Sequence, residues 1–342
     1  MEAKLHIGHC ASAIEKHWDE GPTFIAITGD IAQRGLPEEY EAALQWLSDL
    51  VANFSWSIPS NRIYMVPGNH DICLPLASSS LLALQTKENS EQLNSPKDQK
   101  VDWIEDNAEG VDKILNFAFR PYLDFSKKLT LLPWLSEPTD QERQKANRFS
   151  YPWLESRFRH LGVVFFGFNS AQPIVPRVLP NREVPEVTIE DIVTEAKKVV
   201  QTMDSPPLFI GMTHHYPLAG QKDLAIDNPI NLNQLYTDIP KVALWLHGHW
   251  HLRETTLHST KDKRRLVVNS SPSLTVKEKY RPPDSARGFS MIELERHDSR
   301  VTGCSIFAVE YENGSLVSRC VQGGEYTNEY TLAKDGYFQQ RI

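Results

Sequence analysis

Short apolar runs that stop at polar, glycine-marked turns recur along this chain, with amphipathic helical patterns between them. Ala11, Ile14 and Trp18 lie at helical spacing and predict a short helix over residues 10–18, closed by Gly21-Pro22. Residues 23–28 read as a strand buried on both faces, as parallel strands are, and the strand empties into Gly29-Asp30. After Pro37, well placed for a first helical turn, Tyr40, Ala43, Leu44, Leu47, Leu50 and Val51 share one helix face. Residues 63–66 then form a strand that runs into Pro67-Gly68-Asn69-His70-Asp71, where the Pro-Gly pair marks a sharp reversal. This is strand, helix, strand, with polar residues at the carboxyl ends of both strands. In open α/β sheets ligands bind at those ends.

Residues 76–148 break the rhythm. Residues 78–100 are polar and short of large hydrophobes, so a loop is expected there. Val111, Ile114, Leu115, Ala118, Phe119, Tyr122 and Phe125 then make a helical stripe interrupted by Pro121. An insertion placed directly after Asp71 is positioned either to cap the site or to pack elsewhere on the sheet. The alternation resumes with a strand over 163–168 ending in Asn169-Ser170. A helix follows to Met203, with Thr188 and Asp191 in a capping arrangement. Strands are expected at 208–213, ending in His214-His215, and at 242–246, ending in His247-Gly248-His249-Trp250-His251. Further strands are expected at 265–269, 289–294, 305–310 and 316–321, and Asn313-Gly314 signals a hairpin between the last two.

Bulk properties narrow the class. The chain has 342 residues, 40% hydrophobic and 23% charged, which suits one large domain or two modest ones. No apolar run approaches the ~20 residues a membrane helix needs, and no signal peptide is visible, so a cytoplasmic protein without a membrane role is expected. Cys10, Cys73, Cys304 and Cys320 are too scattered for a disulfide framework and read as free thiols. A formal net charge of −8 argues against broad nucleic-acid binding. It leaves room for an anionic substrate, because a bound divalent metal reverses the local sign. Lys261, Lys263, Arg264, Arg265, Lys277, Lys279, Arg281 and Arg287 form a basic region, read first as a solvated face and second as a nucleic-acid contact.

Four strands therefore end in metal-capable side chains: Asp30; Asn69 with His70 and Asp71; His214; and the pair His249 and His251. Two imidazoles flanking Trp250 point the same way if the segment is extended. Mixed oxygen and imidazole donors suit Zn²⁺, Fe or Mn²⁺ rather than Ca²⁺.

Gly29-Asp30, Gly68-Asn69-His70-Asp71, His214-His215 and Gly248-His249-Trp250-His251, in this order, resemble motifs two to five of the calcineurin-like metallophosphoesterases. The similarity spans roughly residues 10–275 and extends to Gln33-Arg34-Gly35, Asn169-Ser170 and Ser270-Ser271-Pro272-Ser273. It is greatest to bacterial members with Thr-Gly-Asp followed by Gln-Arg-Gly. The resemblance implies an α/β fold, a four-layer α/β/β/α sandwich of two mixed sheets flanked by helices. The metallophosphoesterase domain would cover residues 1–300, with 76–148 a helical cap-like insertion and 301–342 the C-terminal strands and tail, part of the same domain or appended to it.

It also implies two divalent metal ions (Mn, Fe or Zn) and hydrolysis of a phosphodiester or phosphomonoester by a hydroxide held between them. Asp30 would bridge the metals, Asn69, His214 and His249 would complete one site, and His251 would belong to the other. His70 would act as general acid and Asp71 as its orienting partner or supporting group. Arg34, Arg148 and His215 are the candidates for binding the phosphate ester, with a nucleotide or nucleic acid among the substrates considered. The family's first motif, Asp-x-His on the first strand, has no counterpart upstream of Asp30. The expectation is therefore a chain that starts late, lacks the first strand and holds the His251 metal weakly. An inactive module serving in binding or regulation is the alternative.

Overall fold

The computed structural model describes residues 2–18, 22–55, 58–73, 75–76, 118–129, 152–171, 186–218, 235, 238–239, 241–259, 265–274, 286–298, 300–312, 315–318, 327–332 and 338–340. In chain order the main elements begin α1 (Glu2–His17), β1 (Ile25–Ile27), α2 (Pro37–Ala52), β2 (Ile63–Met65), α3 (Arg120–Leu129) and β3 (Trp153–Glu155). They continue β4 (Val163–Gly167), α4 (Glu186–Gln201), β5 (Leu208–Met212), β6 (Val242–His247), β7 (Glu254–Ser259) and β8 (Arg265–Ser270). The last are β9 (Gly288–His297), β10 (Arg300–Glu312), β11 (Ser315–Ser318), β12 (Thr327–Leu332) and β13 (Phe338–Gln340).

Alternation of side chains decides the layers. Every residue of β4 and β5 is buried, and successive side chains leave a strand on opposite faces. Val164, Phe166 and Phe209 meet Ile189, Ile192, Val193 and Ala196 of α4 in one core. Val163, Phe165, Leu208, Ile210 and Met212 face the other way, onto Tyr64 of β2 and Val301, Cys304 and Ile306 of β10. β2 and β10 alternate in turn, because Ile63, Met65 and Val309 point away into a third core with residues of α1, α2 and α3. The order through the molecule is helix, sheet, sheet, helix. This is the α/β/β/α sandwich expected from the sequence.

The first sheet has six strands in the order β3-β4-β5-β6-β8-β7, parallel from β4 to β8 and antiparallel at both edges. The second layer comes in two pieces. β1 and β2 pair in parallel, and β9 to β13 form an antiparallel sheet in which β9 and β11 both pair with β10. The carboxyl ends of β1, β2, β4, β5 and β6 carry the candidate ligand turns. The boundary proposed at residue 300 falls between β9 and β10, which pair along their length, and Val301, Cys304 and Ile306 stand in the inner core.

Several expectations change. The first helix starts at Glu2 rather than residue 10. β1 is shorter than residues 23–28, and Ile25 and Ile27 are half-buried while Ala26 is exposed, because β2 is its one strand partner among the described residues. The stripe is interrupted at Pro121 as expected: Ala118 is helical, Phe119 is a turn, and Pro121 stands in the first turn of α3, where it has no intrahelical N–H bond to lose. Thr188 lies inside α4, which begins at Glu186. β3, β7, β12 and β13 are additional; β7 went unseen because Glu254, Thr255, Thr256 and Ser259 make a polar edge strand. The hairpin at 313–314 has its strands paired as expected, Glu312 opposite Ser315, with the two turn residues themselves outside the described residues.

Of the 76–148 insertion, the described part of the stripe packs in the helical layer. Ala118, Phe119, Tyr122 and Phe125 join Tyr40 and Ile72, and the Cys73 N–H donates to the Ala118 carbonyl. The 78–100 loop and Val111, Ile114 and Leu115 lie outside the described residues, as does most of the basic region. Cys10, Cys73 and Cys304 are buried free thiols. Among the described residues no helix is long and apolar enough to cross a membrane.

Phe166 is fully buried between Phe168 and Trp245, edge-to-face with each at 5.8 and 5.4 Å between ring centres. Phe166→Ala is expected to lower stability by about 3–5 kcal/mol in urea unfolding, through lost burial and the cavity left behind.

Candidate metal centre

The centre is built around one imidazole. His214 follows β5, is 1% exposed, and its Nδ1 lies 2.7 Å from the Thr28 carbonyl after β1. A carbonyl only accepts, so Nδ1 carries the proton and donates. Nε2 faces three groups from three other turns: Asn69 Oδ1 at 3.1 Å, His249 Nδ1 at 3.2 Å and Asp30 Oδ2 at 3.3 Å. A single proton on Nε2 cannot serve a carboxylate, an amide oxygen and a second imidazole together. A divalent cation set among them can, and this mixed oxygen and nitrogen set fits Mn²⁺, Fe or Zn²⁺.

The electrostatics agree. Burial alone would lower the His214 pKa, but the charge and hydrogen bond of Asp30 outweigh it and hold the group above its ordinary value. Burial alone would raise Asp30; the His214 charge and hydrogen bond, with the His70 amide, hold its carboxyl well below the usual range. The spot favours positive charge, and the half-buried carboxylate is ready as an anionic ligand.

Backbone closeness makes the convergence possible. A Cβ on Gly29, where φ is +95°, would stand 2.5 Å from His214 Nδ1 and 2.8 Å from the Gly68 Cα. A Cβ on Gly68 would collide with the Asp30 carboxylate, its Cγ only 2.9 Å away. Asp30, His249 and His251 themselves have left-handed backbones, with φ of 54°, 64° and 53°. Such strain concentrates at functional sites. The segment around Trp250 is a left-handed turn, so the condition of an extended segment, on which the two imidazoles would point the same way, is not met. The Trp250 N–H closes back onto the Gly248 carbonyl at 2.7 Å, and its ring stacks on Tyr216 at 4.8 Å.

Asp71 is fully buried and is not the partner of the His70 ring. Its carboxylate accepts from the Ala32 amide at 2.9 Å, the Ile31 amide at 3.3 Å, the Gly68 amide at 2.8 Å and the Tyr40 hydroxyl at 3.0 Å. It fastens the loop after β1, the turn after β2 and helix α2 together. Burial and the neighbouring Asp30 charge push its pKa up to about 6, against the pull of the amides and the Tyr40 hydroxyl. The His70 imidazole instead donates from Nδ1 to the Gln33 carbonyl at 2.9 Å, and its amide donates to Asp30 Oδ1 at 2.9 Å. His70 is exposed, with Nε2 on the side of the ring away from that anchor.

Among the other expected residues, His215 joins the centre: it is buried, and its ligand-capable nitrogen lies within 4.8 Å of those of His214 and His249. His251 is half-buried on the same loop as His249. Arg34 is largely exposed and paired with Glu39 at 3.4 Å, on the outer side of the loop that carries Gln33. Arg148 lies outside the described residues. The sequence assigned no role to Thr28 and Gln33, which act through backbone carbonyls and not through their side chains. It placed Tyr40 on an apolar stripe and could not see that its hydroxyl reaches Asp71.

Gly68→Ala is expected to reduce Mn²⁺ affinity at least tenfold in a calorimetric titration, because the added methyl displaces Asp30. Tyr40→Phe leaves the Asp71 carboxylate short of one donor and is expected to cost about 1–3 kcal/mol in urea unfolding.

Comparison with known proteins fits this centre. A family model described as calcineurin-like phosphoesterase matches residues 5–253. No curated protein matches the chain. Among solved structures, a dimetal phosphatase from Danio rerio is similar at 10% identity and a TM-score of 0.47, over 92% of this chain and 88% of that one. So shallow a likeness adds nothing to the family match. The chain belongs to the calcineurin-like phosphoesterase family, whose members are metal-dependent hydrolases of phosphate esters.

Proposed function

We propose that this chain hydrolyses a phosphodiester or phosphomonoester, with Asp30, Asn69, His214 and His249 holding a divalent cation and His70 acting as general acid. The observation that carries the reading is the meeting of a carboxylate, an amide oxygen and a second imidazole around His214 Nε2. A bound cation supplies Lewis acidity toward the phosphate and acidifies water at neutral pH. His251, beside the same loop, would serve a second cation together with Asp30.

The remaining work falls to groups of the chain. The Thr28 carbonyl keeps the His214 lone pair directed inward. The Gln33 carbonyl fixes His70 so that Nε2 can hold a proton at the mouth of the site and deliver it to a departing alkoxide. The His70 amide on Asp30 ties that acid to the ligand carboxylate, so acid and cation keep one spacing.

Hydrolysis of bis(4-nitrophenyl) phosphate with Mn²⁺ is expected, to be abolished by chelation and lost in His249→Ala. His70→Asn should lower kcat by ~10²–10⁴-fold on an alkyl phosphodiester and far less on the nitrophenyl ester, whose leaving group needs no proton. A protein that binds Mn²⁺ but turns over neither ester above the His249→Ala background is a binding module, and that result overturns the proposal.

A further inference from the structure

Three imidazoles, those of buried His214 and His215 and half-buried His249, crowd one spot, and by distance alone any of them could be a cation ligand. Hydrogen bonding separates them. Ser170, fully buried at the end of β4, has its Oγ 3.1 Å from the His214 amide and 3.0 Å from the His215 amide. Both amides can only donate, and a hydroxyl oxygen has two lone pairs, so these two bonds use its accepting capacity. The third contact, 3.2 Å to His215 Nδ1, is then made by the serine proton. His215 Nδ1 accepts, and its proton resides on Nε2.

This is the reverse of His214 and His70. In those rings Nδ1 donates to a carbonyl, which leaves Nε2 able to offer a lone pair. The same serine oxygen holds the two amides in place and so aims both rings. The His215 nitrogen that Ser170 does not engage, Nε2, thus carries an N–H rather than a lone pair, on a ring grouped with the ligand-capable nitrogens of His214 and His249. An N–H donor beside a cation site has a natural acceptor in an anionic phosphoryl oxygen.

We propose that His215 is a hydrogen-bond donor to the phosphoryl group rather than a cation ligand, and that Ser170 is the positioning residue that sets its tautomer. The donor role rests on the phosphoesterase reading above; the tautomer does not.

Long-range ¹H–¹⁵N spectra of the metal-free full chain read the tautomer directly, with the His215 signals assigned by loss in His215→Gln. His215 is expected in the Nε2–H form in the wild-type chain and shifted toward a mixture in Ser170→Ala. An Nδ1–H form in the wild type overturns the proposal, whether or not the chain is an enzyme. Mn²⁺ titration by electron paramagnetic resonance is expected to give His215→Gln an affinity within threefold of wild type, and His249→Gln a loss of at least tenfold. Equal losses in the two variants make His215 a ligand and overturn the proposal. With Mn²⁺ bound, inorganic phosphate should bind His215→Gln at least tenfold more weakly than wild type. Unchanged phosphate affinity refutes the donor role. Absence of phosphate binding in every protein, with the Nε2–H tautomer present, refutes the donor role and the phosphoesterase reading while leaving the Ser170 assignment standing.

Discussion

The bond from His214 Nδ1 to the Thr28 carbonyl is the interaction on which the rest of the centre depends. It spans from the carboxyl end of β5 to that of β1, and so it joins the two sheet layers at the site. By occupying Nδ1 it commits Nε2 to the interior, where Asp30, Asn69 and His249 are waiting. Without that anchor the ring could rotate or change tautomer, and the other three groups would have no common focus. Orientation of a ligand imidazole by a carbonyl on its far nitrogen is a general device of metal sites.

Bringing four turns to one point demands that backbones nearly touch. Gly29 and Gly68 make this possible because neither approach leaves room for a Cβ. Left-handed conformations at Asp30, His249 and His251 cost on the order of 1 kcal/mol each, and they persist because surrounding bonds over-determine them. Asp71 provides much of that restraint for the first two turns, since one buried carboxylate receives three amides and a tyrosine hydroxyl. Ser170 does the same for the His214-His215 pair with a hydroxyl. The polar residues of these motifs thus divide into those that face the His214 Nε2 cluster and those that hold the loops.

The sandwich beneath supplies rigidity. β4 and β5 are apolar on both faces, one packed on α4 and the other on β2 and β10, so their carboxyl ends emerge from a fully packed interior. Part of the segment after Asp71 packs in the outer helical layer against Tyr40, whose hydroxyl holds Asp71, and against Ile72, which follows it. That position gives α3 a supporting role at the site.

How much of this was legible in the sequence follows from the range of each interaction. Apolar runs at 163–168, 208–213 and 242–246, and the stripe from Tyr40 to Val51, specify buried strands and a helix because periodicity is local and survives in one dimension. The spaced glycine-and-ligand motifs likewise named Asp30, Asn69, His214 and His249, since chemistry demands those residue types wherever the chain runs. The edge strand β7 and the length of β10 were not legible, because pairing partners rather than composition hold them in place. Nor was the division of labour among His214, His70 and His215. It is set by the carbonyls of Thr28 and Gln33 and by the Ser170 hydroxyl, contacts that for His214 and Thr28 cross 186 residues of chain. The sequence by itself determined which groups could bind a cation. Only the tertiary structure decided how His214, His70 and His215 are oriented and protonated, because that depends on the neighbour that Nδ1 of each ring meets after folding.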